Sequence, residues 1–428
     1  MSRSRRLALL FAISSLSWCL STPNRTVAQA MAEPAPDLAT LTAEALERSP
    51  AIAAARATVA ARRSMESPAG ALPDPMLETN WQNVGFEPTV GQEDMSMVGV
   101  EARQGLPYPG KRAAARALAA AETTVSDVAL RALQRQVEAD VRTLYAEIFA
   151  LDRERESLAA ASELVDLLEE AAHGRLSAGE GGQESVLKAQ LERQRLAERL
   201  GDLVSGRAAV VAELNRWLDR PDAAVLGPLV ELPVLPPVPD EAEALAIEGS
   251  PEVARAVAEY RLAERRVQVA RLHLKPDFSA GAGLASRGGL DPVVTVRFGV
   301  ELPFWRRQKH HPMIHAAAYE TEAAADALAD AQAQVRSEAA RLRAAWANAD
   351  QQVTRYREGI VPLSGAALDA ARSGYLAGSG SFSTLIEDFG LWLEARVSLA
   401  RREADRFIAR VAFERLAGSG RSSATEKE

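Results

Sequence analysis

The chain is written twice. Ser49-Pro50, in "LTAEALERSPAIAAARATVAARR", returns as Ser250-Pro251 in "DEAEALAIEGSPEVARAVAEYRLAERR", an offset of 201 residues. Gly174 and Leu176, in "AAHGRLSAGEGGQESVLKAQ", return as Gly374 and Leu376 in "AARSGYLAGSGSFSTLIEDF", an offset of 200. Between these landmarks "LPDPMLETNWQN" returns loosely as "LKPDFSAGAGLA", and "VGVEARQGLPYPGKR" as "FGVELPFWRRQK". Landmarks kept in order over this distance mark an internal duplication, so the fold is built from two copies of one unit. The first copy covers 31–226 and the second 241–417, joined by the Pro-rich linker "GPLVELPVLPPVPD" at 227–240, with a tail at 418–428 that reads as disordered.

Each copy reads as helix, strand, strand, very long helix, Gly-rich turn, helix. Periodicity predicts helices over 38–70, 111–172 and 184–218, and again over 240–274, 312–371 and 382–417. The long ones carry an apolar seam stepping alternately by four and three. It runs Val137, Val141, Leu144, Ile148, Leu151, Arg155, Leu158 in one copy and Leu342, Trp346, Ala349, Val353, Tyr356, Ile360, Leu363 in the other. That is the 3.5-residue repeat of a coiled coil. A helix of about 60 residues spans roughly 90 Å, a length suited to crossing a compartment or to a solvated rod.

The strands alternate with period two. Val294, Val296, Phe298, Val300 and Leu302 share one face of "DPVVTVRFGVELPFW", and Thr295, Arg297, Gly299 and Glu301 the other. "PMLETNWQNVGF", "MSMVGVEARQ" and "DFSAGAGLAS" follow the same rule, so each copy holds one hairpin, at about 75–106 and 277–304. Pro73, Pro75, Pro107, Pro109, Pro276 and Pro303 stand at the helix–strand junctions, where proline ends a helix and cannot extend a ladder. Each strand is near the 9–11 residues that cross a bilayer when tilted. Four strands cannot close a barrel, and lipid tolerates no open edge. The strands must therefore pair with other chains or pack on a soluble core.

Residues 1–30 read as a secretory signal. Arg3, Arg5 and Arg6 precede an apolar stretch at 7–20, and Ala28-Gln29-Ala30 supplies a small-x-small cleavage site. Cys19 is the only cysteine, and Trp18 before it argues against lipidation; cleavage after Ala30 leaves a mature chain with neither disulfide nor thiol chemistry. No later segment is apolar and long enough for a membrane-spanning helix. A formal net charge of −8 argues against nucleic acid as partner.

The duplicated helix–hairpin–helix plan, "LPDPMLETNWQNVGF", "QGLPYPGKR", "LPFW" and the two Gly-rich turns together resemble the outer membrane factor (TolC-type) efflux duct family, over essentially the whole mature length. "PDPMLETNWQNVGF" and "VEARQGLPYPGKR" look most like the branch serving heavy-metal pumps of the resistance-nodulation-division type. The resemblance implies a mainly α fold with a small transmembrane β part. Three chains of four strands would build one 12-stranded barrel, continued by an α-helical barrel through the periplasm. It implies a homotrimer in outer-membrane lipid, joined by a periplasmic adaptor to an inner-membrane resistance-nodulation-division pump, acting as a passive exit channel for heavy-metal cations. Thr295, Arg297 and Glu301 would then face the lumen, and Val294, Val296, Phe298, Val300 and Leu302 the lipid.

The resemblance also assigns roles to the turns. Gly174, Arg175, Leu176, Gly179, Gly374, Tyr375, Leu376 and Gly378 become adaptor-docking candidates, where the plain reading is glycine-assisted helix reversal. Thr384, Glu387 and Asp388 become candidates for the periplasmic gate, where threefold symmetry would ring carboxylates about one axis. In the family Thr384's place is often acidic, so the resemblance leaves one ring without its acid unless Asp388 substitutes by register; a solvated helix face is the plain alternative.

His310, His311 and His315 lack the glutamate of a catalytic zinc motif and read as exposed junction histidines, with Pro312 at a first helical position. Met95 and Met97 read as strand or loop residues rather than soft-metal ligands. No metal, cofactor or catalytic set is expected, since phosphate loops, nucleophile elbows and Ser/His/Asp spacings are absent. Two alternatives stay open: a drug- or protein-export duct of the same fold, or a soluble periplasmic coiled-coil scaffold or adaptor. An adaptor would also need a compact lipoyl-like β domain, for which the sequence has no room.

Overall fold

The computed structural model describes residues 36–83, 90 and 95–418. The signal sequence, most of the 85–94 loop and the tail beyond 418 lie outside the described residues. In chain order the elements are α1 (Leu38–Arg48), α2 (Pro50–Ala69), β1 (Met76–Gln82), β2 (Met97–Leu106), α3 (Lys111–Ser177) and α4 (Gln183–Trp217), then α5 (Ala242–Gly249), α6 (Pro251–Leu272), β3 (Asp277–Arg287), β4 (Leu290–Glu301), α7 (His311–Arg355), α8 (Val361–Leu376) and α9 (Phe382–Ala417). The two halves repeat one plan.

The opening helix of each half is split where the sequence predicts it continuous. Pro50 and Pro251 cannot donate to the preceding turn, so α1 and α5 end one residue before Ser49 and Ser250. Both serines are buried. Ser250 then caps α6, its Oγ accepting from Glu252 N at 3.1 Å and Val253 N at 3.4 Å. Ser250→Ala is expected to cost about 1 kcal/mol, read as a small drop in the unfolding midpoint; Ser49→Ala should cost less, because Ser49 makes no side-chain cap.

α3 runs 67 residues without a break, about 100 Å at the helical rise. Its seam is buried at Val137, Val141, Leu144, Ile148 and Leu158 and continues through Val165, Leu168 and Ala172. In the second half the seam departs from the sequence reading. Leu342, Ala349 and Val353 are buried, but Ile360 and Leu363 are exposed. A π-helical turn at Tyr356–Ile360 explains the difference. Such a turn admits one extra residue and rotates everything beyond it. A strict 3.5 repeat from Val353 reaches position 367 after four steps; the buried residue is Leu368, one place later, and Tyr375 follows seven beyond it.

The linker is held by ions. Asp152, buried on α3, accepts from Arg207 Nε at 2.7 Å, Arg207 Nη2 at 3.0 Å and Leu229 N at 2.9 Å. Arg410 on α9 donates to Pro236 O at 2.7 Å. Glu154 joins three helices, accepting from Arg199 on α4 at 2.8 Å and Arg401 on α9 at 2.8 Å.

Candidate functional site

The four described strands form one antiparallel sheet in the order β1-β2-β3-β4. β2 and β3 pair directly although α3 to α6 separate them in the chain. Residues opposite one another share a face, so the register sorts every side chain. Leu77, Ala102, Ala282 and Val296 form one row, and Thr79, Val100, Leu284 and Val294 the next. This face is apolar and open: Val294 is 73%, Val296 64%, Phe298 81% and Val300 56% exposed. Leu302 lies just past the end of β4 and is also exposed.

The other face is charged, with ion pairs gathered around Glu101. Glu78, Glu101, Gly283 and Thr295 form one row there, beside Met76, Arg103, Gly281 and Arg297. Arg297 reaches Glu101 at 2.9 Å, and Arg103 lies 3.7 Å from Glu101 and 3.5 Å from Glu78. Glu101 is buried because two glycines let it lie flat on the sheet. A Cβ on Gly281 would stand 3.1 Å from its Oε1, and one on Gly283 3.2 Å from its Cβ. Glu101 is a central residue of this face that sequence reading left unassigned; its signal was the "GAG" opposite it in β3. Among the described residues no helix shares more than isolated contacts with any strand, so the described helices cover neither face, and β1 and β4 stand at the two edges of the sheet.

The opposite end of the molecule carries the two Gly-rich turns. The predicted helix ends at 172 and 371 are overrun. α3 reaches Ser177 and α8 reaches Leu376, so Gly174, Arg175, Leu176, Gly374, Tyr375 and the exposed Leu376 belong to last helical turns rather than loops. The chain reverses at Gly179 (φ 76°) and Gly378 (φ 78°), left-handed positions that favour glycine. Glu180 N and Gly181 N both bond Arg175 O, and Ser379 N and Gly380 N both bond Gly374 O. The tip candidates therefore divide. Leu176 and Leu376 point outward, whereas Arg175 is spent inside the chain: its guanidinium stacks 4.9 Å from the Tyr375 ring and donates to Tyr375 O. Tyr375 is buried, edge-on to Phe382 at 5.3 Å. The two residues occupy equivalent places in the two copies, 200 residues apart.

Just after the second turn, Ser381 caps α9 by accepting from Thr384 N at 3.1 Å, with its Oγ 2.9 Å from Thr384 Oγ1. Thr384 is thus used in starting the helix. Glu387 is exposed and Asp388 half-buried, and neither forms an ion pair among the described residues. His310 closes a π-helical turn at Arg306–His310, and His311 begins α7 with His315 one turn on. Among the described residues no group of three or more His, Cys, Asp or Glu gathers to hold a metal ion. Met97 begins β2 and Met95 precedes it in an exposed turn. No helix among the described residues is long and apolar enough to cross a membrane.

Residues 244–419 match the family described as "Outer membrane efflux protein". No curated protein matches the chain by sequence. Solved structures share the fold. The outer-membrane channel OprN superposes with a TM-score of 0.77 at 17% identity, over 90% of each chain. The outer membrane protein VceC of Vibrio cholerae gives 0.75 at 16% identity, over 90% of this chain and 96% of its own. CusC, described for folding and transmembrane channel formation, gives 0.74 at 15% identity, over 90% of this chain and 92% of its own.

Proposed function

We propose that this chain is an outer membrane efflux protein, three copies of which form a passive exit duct joined through a periplasmic adaptor to an inner-membrane pump of the resistance-nodulation-division type. The observation that carries the reading is the sheet. Among the described residues one face is apolar and open, the other is charged with ion pairs around Glu101, both edges are free, and no helix covers the sheet. Water is a poor solvent for the first face and lipid for the second and for the edges. Closing four strands per chain into 12 satisfies all three at once. The family match over 244–419 and the fold shared with channel proteins support it.

In the closed barrel Thr295, Arg297 and Glu301 line the lumen, and Val294, Val296, Phe298, Val300 and Leu302 meet lipid. At the far end Glu387 and Asp388, ringed by symmetry, narrow the mouth and draw cations to it. Leu176 and Leu376, with the backbone of Gly174, Gly179, Gly374 and Gly378, offer the adaptor a small apolar tip; Arg175 and Tyr375 hold that tip in shape.

We take the cargo to be heavy-metal cations, on the resemblance of the hairpin sequences and the acidic mouth. Deleting the gene and comparing sensitivity to zinc, cobalt, copper and silver with sensitivity to dyes and detergents tests this; sensitisation to hydrophobic compounds alone overturns the metal cargo. Leu176→Asp/Leu376→Asp is expected to abolish capture of the adaptor in a pull-down while the trimer still assembles; unchanged capture removes the tip from the docking surface. Extraction by buffer without detergent would return the chain to the scaffold alternative.

A further inference from the structure

The duplication supplies an internal control at the boundary between strands and helices. In the first copy, "LPYPGKR", the cations are spent within the chain. Lys111 Nζ lies 2.7 Å from Asp277 and 2.9 Å from Lys275 O, and Arg112 Nε donates to Gly70 O at 2.8 Å. Tyr108 is half-buried. The second copy, "LPFWRRQK", departs at each of these places. Phe304 is 79% and Trp305 69% exposed. Arg306, Arg307 and Lys309 follow on the π-helical turn, all exposed and none with an ion-pair partner among the described residues. Partial burial first, then Lys111 and His310, hold the nearby His273 imidazole below its usual range.

An exposed aromatic pair next to unpaired cations, continuous with an apolar strand face, has the chemistry of a membrane–water interface. The rings suit the acyl–headgroup boundary, and the cations suit phosphate just beyond it. We propose that residues 304–309 bind the phosphodiester headgroups of anionic phospholipids in the leaflet nearer the helices, and that the equivalent first-copy segment does not. The inference rests on the duct reading and adds to it a lipid contact borne by one repeat only. Alternating bound and unbound segments would fix the depth and tilt of the barrel at three points rather than six.

The test uses the full-length protein purified in detergent and stripped of lipid, titrated with dioleoylphosphatidylglycerol or dioleoylphosphatidylcholine and read by native mass spectrometry. The natural protein is expected to prefer the glycerol headgroup about tenfold. Arg306→Gln/Arg307→Gln/Lys309→Gln should fall to parity while remaining trimeric. Arg306→Lys/Arg307→Lys should keep the preference, as should Arg336→Gln/Arg355→Gln, which removes two cations from α7. A natural protein without preference, or a triple variant that keeps it, overturns the inference, as does equal loss in the α7 variant. Failure of the duct reading looks different: the protein would then leave the membrane in buffer, before any lipid is titrated.

Discussion

Val296→Arg is expected to leave the chain outside the outer membrane. Val296 sits in the middle of β4, opposite Ala282, in the row that continues through Ala102 to Leu77. Arginine at the lipid-facing midplane of a barrel costs about 2–4 kcal/mol per copy. In the proposed trimer three copies bring the assembly cost to roughly 6–12 kcal/mol, comparable to the whole folding stability of an ordinary domain. Thr295→Arg is the matched control. It changes the neighbouring residue by the same charge, but on the face where Glu78 and Glu101 share its row. Density-gradient flotation and the heat-sensitive trimer band on a gel read both variants. Normal insertion of Val296→Arg, or loss of insertion in Thr295→Arg alone, would reverse the assignment of the two faces.

Asp152→Ala should have the largest effect on the helical part. The carboxylate receives Arg207 through two nitrogens and the backbone N–H of Leu229, while Arg207 Nη2 also donates to Gly227 O at 2.9 Å. Removing the acid leaves a largely enclosed guanidinium without its counter-ion and a buried amide unpaired, a loss of about 3–5 kcal/mol. The unfolding midpoint should fall, and proteolysis should shift to the linker between 227 and 240. Asp152→Ala/Arg207→Met should recover most of the loss, since removing both charges is far cheaper than stranding one. If the double variant is no better than the single, the pair acts through something other than its charge.

Much of the architecture was legible locally. The seam of α3, the proline-bounded strands and the two Gly-rich turns are patterns among near neighbours in the chain, and helix and strand periods are properties of near neighbours. The same logic shows where reading failed. A π-helical turn leaves no period of its own, so the seam from Val353 through Tyr356 and Ile360 to Leu363 reads as regular in sequence although the backbone there holds one residue too many. The split at Ser49 was signalled by Pro50, but a proline one residue into a helix and a proline inside one look alike in sequence.

Local pattern was enough to specify the duplication, the helical and extended segments, and which side of each strand is oily, because alternation and heptads survive without any partner. It takes the packed chain to lay Glu101 of β2 over the glycines of β3 and pair it with Arg297 of β4, to close Arg175 on its own repeat-mate Tyr375, and to consume one junction's cations while the other's have no ion-pair partner among the described residues. Each joins residues distant in the chain, and a contact between distant residues depends on strand order and helix register, quantities that no short stretch of sequence contains.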